Sequence, residues 1–172
     1  MNSGEPENRV INVVVAGLGG QGVVKATDIV AGAAFRAGFD VKKSEIHGMS
    51  QRGGSVASDV RIGRGVLSPM VPSGEADFLV LVDATQLESN RGLLRPGGIL
   101  LLPDMLTGVT LTNKKSLNVA LVGVLSAWLD IPDEYWVEAI RAELPTRFHE
   151  VNLNAFRTGR EAGAARRHGA QS

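Results

Sequence analysis

The stretch Ile11–Lys25, I-N-V-V-V-A-G-L-G-G-Q-G-V-V-K, constrains the fold more than any other part of the chain. Ile11 and the run Val13–Ala16 are apolar and largely β-branched, as a buried strand requires. Glycines follow at 17, 19, 20 and 22, and a helical pattern begins at once with Val23 and Val24. Strand, glycine turn and helix in direct succession open an α/β unit of the kind that binds nucleotides. Gly17, Gly19 and Gly22 fit G-x-G-x-x-G, where absent side chains permit a tight turn and let backbone N–H groups approach a phosphate. The helix N-terminus adds roughly half a positive charge at the same point. The plainer reading is that the glycines only let the first helix pack close to the sheet, and the motif alone does not choose.

A chain of 172 residues is sized for a single domain, residues 1–172, with its core at about residues 10–160. Met1–Asn8 reads as a frayed lead-in. Gln21–Ala37 reads as a helix rich in small residues, with Gly32 pointing to close packing and Gly38 suited to the left-handed residue past its end. Phe39–Ser44 reads as a second strand. Ser55–Ile62 alternates, and with Gly63–Gly65 and Val66–Leu67 it reads as a hairpin or a sharp return on an antiparallel sheet edge. Asp77–Asp83 is a buried strand, Leu87–Leu94 a short helix stopped by Arg95-Pro96-Gly97-Gly98, and Ile99–Leu102 a further strand. Val109–Leu111 could add one more. Helices are expected over Ser116–Leu129, Pro132–Leu144 and His149–Ala165, with Arg166–Ser172 frayed. The whole is a three-layer α/β domain with a Rossmann-like, mostly parallel sheet, a β-hairpin edge and C-terminal helices.

Composition removes several functions. Eighteen basic and eighteen acidic side chains cancel, so there is no general electrostatic reason to bind nucleic acid or an anionic membrane. No apolar run approaches the roughly 18 residues of a membrane span, and no signal-peptide pattern precedes the first strand, so a cytoplasmic location is expected. A chain without cysteine supplies no thiolate for an iron–sulfur cluster, no disulfide and no sulfur nucleophile. His47, His149 and His168 lie far apart and in no metal-ligand spacing, so no metal site is expected.

Other constellations are weaker. A nicotinamide enzyme would place an acid at the end of strand two, yet Asp40 comes too early and Glu45 reads as a solvated carboxylate. A P-loop fails because Val23 and Val24 stand where lysine and serine or threonine must hold phosphate and magnesium. The segment His47–Gly54, H-G-M-S-Q-R-G-G, is a different matter. Arg52 can fork onto a phosphate or carboxylate, and His47 can carry a proton near neutrality, within glycines 48, 53 and 54. Arg157, Arg160, Arg166 and Arg167 read as a solvated helix face. Trp128, Tyr135 and Trp136 read as core or subunit contact.

With G-L-G-G-Q-G at 17–22 and H-G-M-S-Q-R-G-G-S-V at 47–56 both in view, the chain resembles the gamma-type subunits of the 2-oxoacid:ferredoxin oxidoreductases. Within them it is most similar to the beta subunit of the indolepyruvate enzymes. Gly74–Asp77 (G-E-A-D), Leu94–Gly98 (L-R-P-G-G) and Asn152–Gly159 (N-x-x-A-F-x-x-G) fit the same pattern, so the resemblance spans about Val10 to Gly159. It implies a small subunit, with no catalytic residue and no cofactor of its own, of an enzyme that oxidatively decarboxylates arylpyruvates to acyl-CoA and CO₂ and reduces ferredoxin. It implies that thiamine diphosphate, magnesium and iron–sulfur clusters sit on a large partner subunit, with coenzyme A at the interface. Gly17, Gly19, Gly20, Gln21, Gly22, His47, Gly48, Arg52, Gly53 and Gly54 are then the candidate binding residues. The runner-up is a stand-alone NAD- or FAD-dependent oxidoreductase.

Overall fold

Val13, Val14, Val15 and Ala16 are buried as strongly as any residues in the chain, because the strand they form is covered on both faces and both edges. The computed structural model describes residues 9–47 and 54–170, with the backbone alone at Ile46 and His47. Strand β1 (Ile11–Leu18) lies at the centre of a five-stranded sheet. It is followed by helix α1 (Val23–Arg36), β2 (Asp40–His47), β3 (Ser55–Gly63), β4 (Ala76–Leu81), a one-turn helix α2 (Leu87–Asn90), and β5 (Leu94–Leu101). Three helices close the chain: α3 (Leu117–Ser126), α4 (Asp133–Glu143) and α5 (His149–Gly169). The lead-in expected at Met1–Asn8 falls outside the described residues. No helix among them is long and apolar enough to cross a membrane.

The sheet order is β2-β3-β1-β4-β5. β4 pairs parallel with β1 and with β5, whereas β3 runs antiparallel to both β1 and β2. Four strands therefore share one direction and only β3 opposes them. The edge hairpin exists, but it is built from β2 and β3. Val66–Leu67 forms no return strand, and β3 sits inside the sheet because it pairs along its whole length on both sides. The Arg95–Gly98 segment, expected to stop a helix, lies within β5, where the pairing with β4 shifts register between Ala76 and Phe78. Pro96 is tolerated there because β5 is an edge strand. Val109–Leu111 is not a strand.

The long helices all pack on one face, over Val13, Val15, Val60, Ile62, Phe78 and Val80. α3 is buried on every side over Asn118–Ser126, between the sheet and α5, which explains an apolar content beyond a single stripe. The tightest approach is here: a Cβ at Gly123 would overlap the carbonyl of Phe156, and one at Gly159 the carbonyl of Ala120. At Gly32, where close packing was expected, an added Cβ would stand 3.0 Å from the Arg36 guanidinium and 3.4 Å from Ala139 Cβ. That is a closer fit than an open helix face but looser than at Gly123 or Gly159. Trp136 is fully buried, donates to the Ile131 carbonyl at 3.2 Å and packs on the Phe156 ring, so it belongs to the core. α5 runs on to Gly169 where fraying was expected, and Arg167 donates to the Ala127 carbonyl at the end of α3, a favourable place for a cation.

The other sheet face carries a thinner layer, formed by α2, its flanking 3₁₀ turns and the β3–β4 loop over Val14, Ala16, Leu79 and Leu81. Asp59 of β3 fastens that loop by accepting the Val71 N–H at 2.9 Å. Burial pushes its carboxyl pKa up from the ordinary 3.8, opposed in part by the Val71 hydrogen bond and the charge of Arg61. The native state thus holds this proton more tightly than the unfolded chain, and the group's contribution to stability falls as pH rises from 3.8 through its raised value. Asp59→Asn keeps an acceptor for Val71 and removes the charge. Its stability relative to wild type is expected to increase across that pH window and then level off, as followed by urea unfolding at stepped pH. A difference independent of pH would show that burial does not penalise this carboxylate.

Candidate functional site

The turn after β1 is closed mainly by one side chain. Gln21 Oε1 accepts the Leu18 N–H at 2.7 Å, and Gln21 Nε2 donates to Asp83 Oδ2 at 2.8 Å. The Gln21 N–H donates to the Leu18 carbonyl at 3.1 Å, and the Gly19 N–H to the Gly54 carbonyl at 2.8 Å. Gly17 is needed because a Cβ would meet Gln21 Oε1 at 2.9 Å and Val23 Cγ2 at 3.0 Å. Gly22 is the N-cap of α1 at φ +78°, and its carbonyl accepts Asn118 Nδ2 at 3.1 Å. No side chain caps α1 and no acid lies in its first turn, so the amides of Val23, Val24 and Lys25 point out of the helix end without intrahelical partners.

Asp83 follows β4 and was not among the candidate residues. Its Oδ1 accepts both the Thr85 N–H at 2.9 Å and the Thr85 hydroxyl at 2.5 Å. The hydrogen bonds from Thr85 and then Gln21 hold its carboxyl below the ordinary 3.8. β1 and β4 are parallel neighbours whose following helices leave on opposite faces, α1 on one and α2 on the other. A crevice between carboxyl ends at such a divergence is where α/β sheets bind ligands. Position could have revealed Asp83, as the first polar residue after an apolar strand. The Gln21–Asp83 bridge could not have been read that way, being 62 residues long in sequence.

Over this turn lies an open cleft of about 470 Å³ lined by Gly20, Gln21, Gly22, Lys114, Lys115 and Asn118. Lys114 and Lys115 precede α3, in a turn that Asn113 caps by accepting the Lys115 N–H at 2.9 Å. Gly20, at φ +86°, has open space where a side chain would go. The cleft therefore joins an uncapped helix N-terminus to two ammonium groups, an arrangement that favours an anion.

The second candidate segment reaches the same edge. His47 ends β2 and pairs with Val56, which pairs on its other side with Gly17. Gly54 is joined directly to the turn through Gly19. Gly48, Arg52 and Gly53 lie outside the described residues, as does the His47 side chain. Glu45 is exposed and paired with Lys43 at 3.3 Å. Among the described residues no three His, Cys, Asp or Glu side chains cluster as metal ligands.

A family model described as pyruvate ferredoxin/flavodoxin oxidoreductase matches residues 12–107, from β1 to the turn that follows β5. The chain belongs to this oxidoreductase family. Indolepyruvate oxidoreductase subunit IorB of Thermococcus kodakarensis is 31% identical over 191 aligned residues, which cover 88% of this chain and 95% of that one. The IorB subunit of Methanothermobacter thermautotrophicus is 30% identical, covering 89% and 97%. The gamma subunit of a keto/oxoacid ferredoxin oxidoreductase from Geobacter sulfurreducens has the same fold, with a TM-score of 0.78 at 23% identity, covering 91% of this chain and 98% of that one. Near-complete coverage of relatives that are themselves subunits makes this chain a small-subunit member of the family. In such a member, the Gln21–Asp83 bridge and the lysine-lined cleft lie at the edge where the two sequence motifs meet.

Proposed function

We propose that this small subunit serves a 2-oxoacid:ferredoxin oxidoreductase acting on indolepyruvate or another arylpyruvate in the cytoplasm. Oxidative decarboxylation to acyl-CoA and CO₂, with electrons passing to ferredoxin, takes place on a large partner subunit that holds thiamine diphosphate, magnesium and iron–sulfur clusters. The observation that carries this reading is the similarity to IorB over 88% of the chain. With no cysteine in the sequence, this chain offers no thiolate for an iron–sulfur cluster, and no redox step is assigned to its side chains.

Its own part is binding and assembly at the carboxyl edge of the sheet. The amides at the start of α1, with Lys114 and Lys115, suit the phosphates of coenzyme A. His47 and Arg52 belong to the same proposal, Arg52 forking either onto a CoA phosphate or onto an acidic surface of the partner. Purified alone, the chain is expected to be colourless and to bind neither thiamine diphosphate nor NAD. Co-expressed with the large subunit, it is expected to copurify in a complex that carries iron–sulfur absorbance. That complex should reduce ferredoxin faster with indolepyruvate than with pyruvate or 2-oxoglutarate. NAD binding by the isolated chain, or a full-rate large subunit without it, overturns the reading.

A further inference from the structure

A second cleft lies at the opposite end of the sheet, where β1 and β4 begin. It has a volume of about 420 Å³. Its walls are Phe39, Phe78 and Trp128, with Ile11 and Ile99. At its mouth stand Arg9 and Arg95, both donating to the same oxygen of Asp77, each at 2.6 Å. The other Asp77 oxygen accepts the Asn12 N–H at 2.8 Å, and the residue is only 7% exposed. Among the described residues, two guanidinium groups thus share one carboxylate, which leaves a positive charge in excess above an aromatic floor. Their shared anchor also holds both forks in place, so less conformational entropy is lost when a further anion joins them.

We propose that this cleft binds a small aromatic monocarboxylate, its ring against Phe39, Phe78 and Trp128 and its carboxylate on Arg9 and Arg95. The volume lies in the range of small-molecule sites, roughly 300–1,000 Å³. Apolar walls alone would accept any hydrophobic group, and exposed arginines alone any anion. The two together select a ligand with a planar apolar body and one charged end. The site is separate from the glycine-turn cleft and does not depend on the function proposed for it.

Phenylacetate is the probe, titrated into the full-length chain and into its complex with the large subunit. Binding is read by calorimetry and by tryptophan fluorescence excited where phenylacetate does not absorb. Trp128 lines the cleft while Trp136 is fully buried, so the fluorescence response is expected in wild type and absent in Trp128→Phe. Phenylacetamide, which keeps the ring and lacks the charge, is expected to bind at least about tenfold more weakly, and Arg95→Gln should weaken phenylacetate by a similar factor. Because the amide comparison leaves the protein unaltered, it stands even if Arg95→Gln folds poorly. Equal binding of acid and amide overturns the proposal. So does an absence of saturable binding, or binding to which Trp128 does not respond.

Discussion

Gly159→Ala is expected to destabilise this protein by about 2–4 kcal/mol, although alanine is the better helix former. In an exposed helix interior the substitution would gain about 1 kcal/mol. Here the added Cβ falls on the carbonyl of Ala120, which belongs to the backbone of α3 and cannot turn aside as a side chain could. Separating α3 from α5 opens the contact around Phe156 and Leu153, and overpacking against backbone exceeds the usual about 1–3 kcal/mol, reaching roughly 3–5 kcal/mol here. Overpacking exceeds propensity. For a chain of 172 residues the net loss corresponds to a fall in Tm of roughly 4–16 °C, at about 2–4 °C per kcal/mol. Gly169→Ala on the same helix meets no atom within 4 Å and should leave Tm unchanged or slightly raised. If the two variants melt together, the helices do not approach as closely as described. Gly123→Ala should resemble Gly159→Ala, because its Cβ meets the carbonyl of Phe156 across the same interface.

The second large effect is expected at Gln21. Gln21→Ala removes the acceptor of the Leu18 N–H and a donor to the Asp83 carboxylate in one step. A neutral hydrogen bond contributes about 1 kcal/mol and one to a charged group about 1.5–3 kcal/mol, so a loss of about 2.5–4 kcal/mol is expected. Because the bridge lies at the site edge, activity of the reconstituted complex should fall about ten- to a hundredfold even where the chain stays folded. Asp83 supplies an independent readout. Its depressed pKa stabilises the native state above pH 3.8, and that contribution is lost as pH falls through the folded value. In Gln21→Ala the Asp83 pKa should move up toward 3.8, as seen by carboxyl-carbon NMR, while Thr85 keeps part of the depression. Gln21→Glu preserves an acceptor for Leu18 yet sets a second carboxylate against Asp83, and should do no better than alanine at neutral pH. An unchanged Asp83 titration in both variants would mean that the bridge does not form in solution.

What sequence made legible here was mostly local. β1, the glycine turn and α1 could be read from fifteen residues because strand, turn and helix each follow from neighbouring side chains. The left-handed Gly38 was foreseeable for the same reason, its positive φ being set by its place just past the end of α1. Family membership was legible too, since the two motifs at 17–22 and 47–56 occur in a fixed order along the chain.

Only the tertiary structure decided the position of β3. Its alternation of Val60 and Ile62 with Asp59 and Arg61 is what an edge strand with a solvated face also shows. Pairing with β1 and β2 at once is a long-range fact, and burial of Asp59 depends on a loop that folds back over it. The Arg95–Gly98 segment carries the chemistry of a helix stop, yet pairing with β4 draws it into the sheet edge. Of the site, the glycines came from the sequence, whereas Asp83, Thr85, Lys114, Lys115 and Asn118 did not. Three elements bring them to the turn, the segment after β4, the turn before α3 and α3 itself, and no spacing along the chain records which strand ends lie side by side. Local chemistry fixed where the chain could turn, and the sheet order determined which side chains met there.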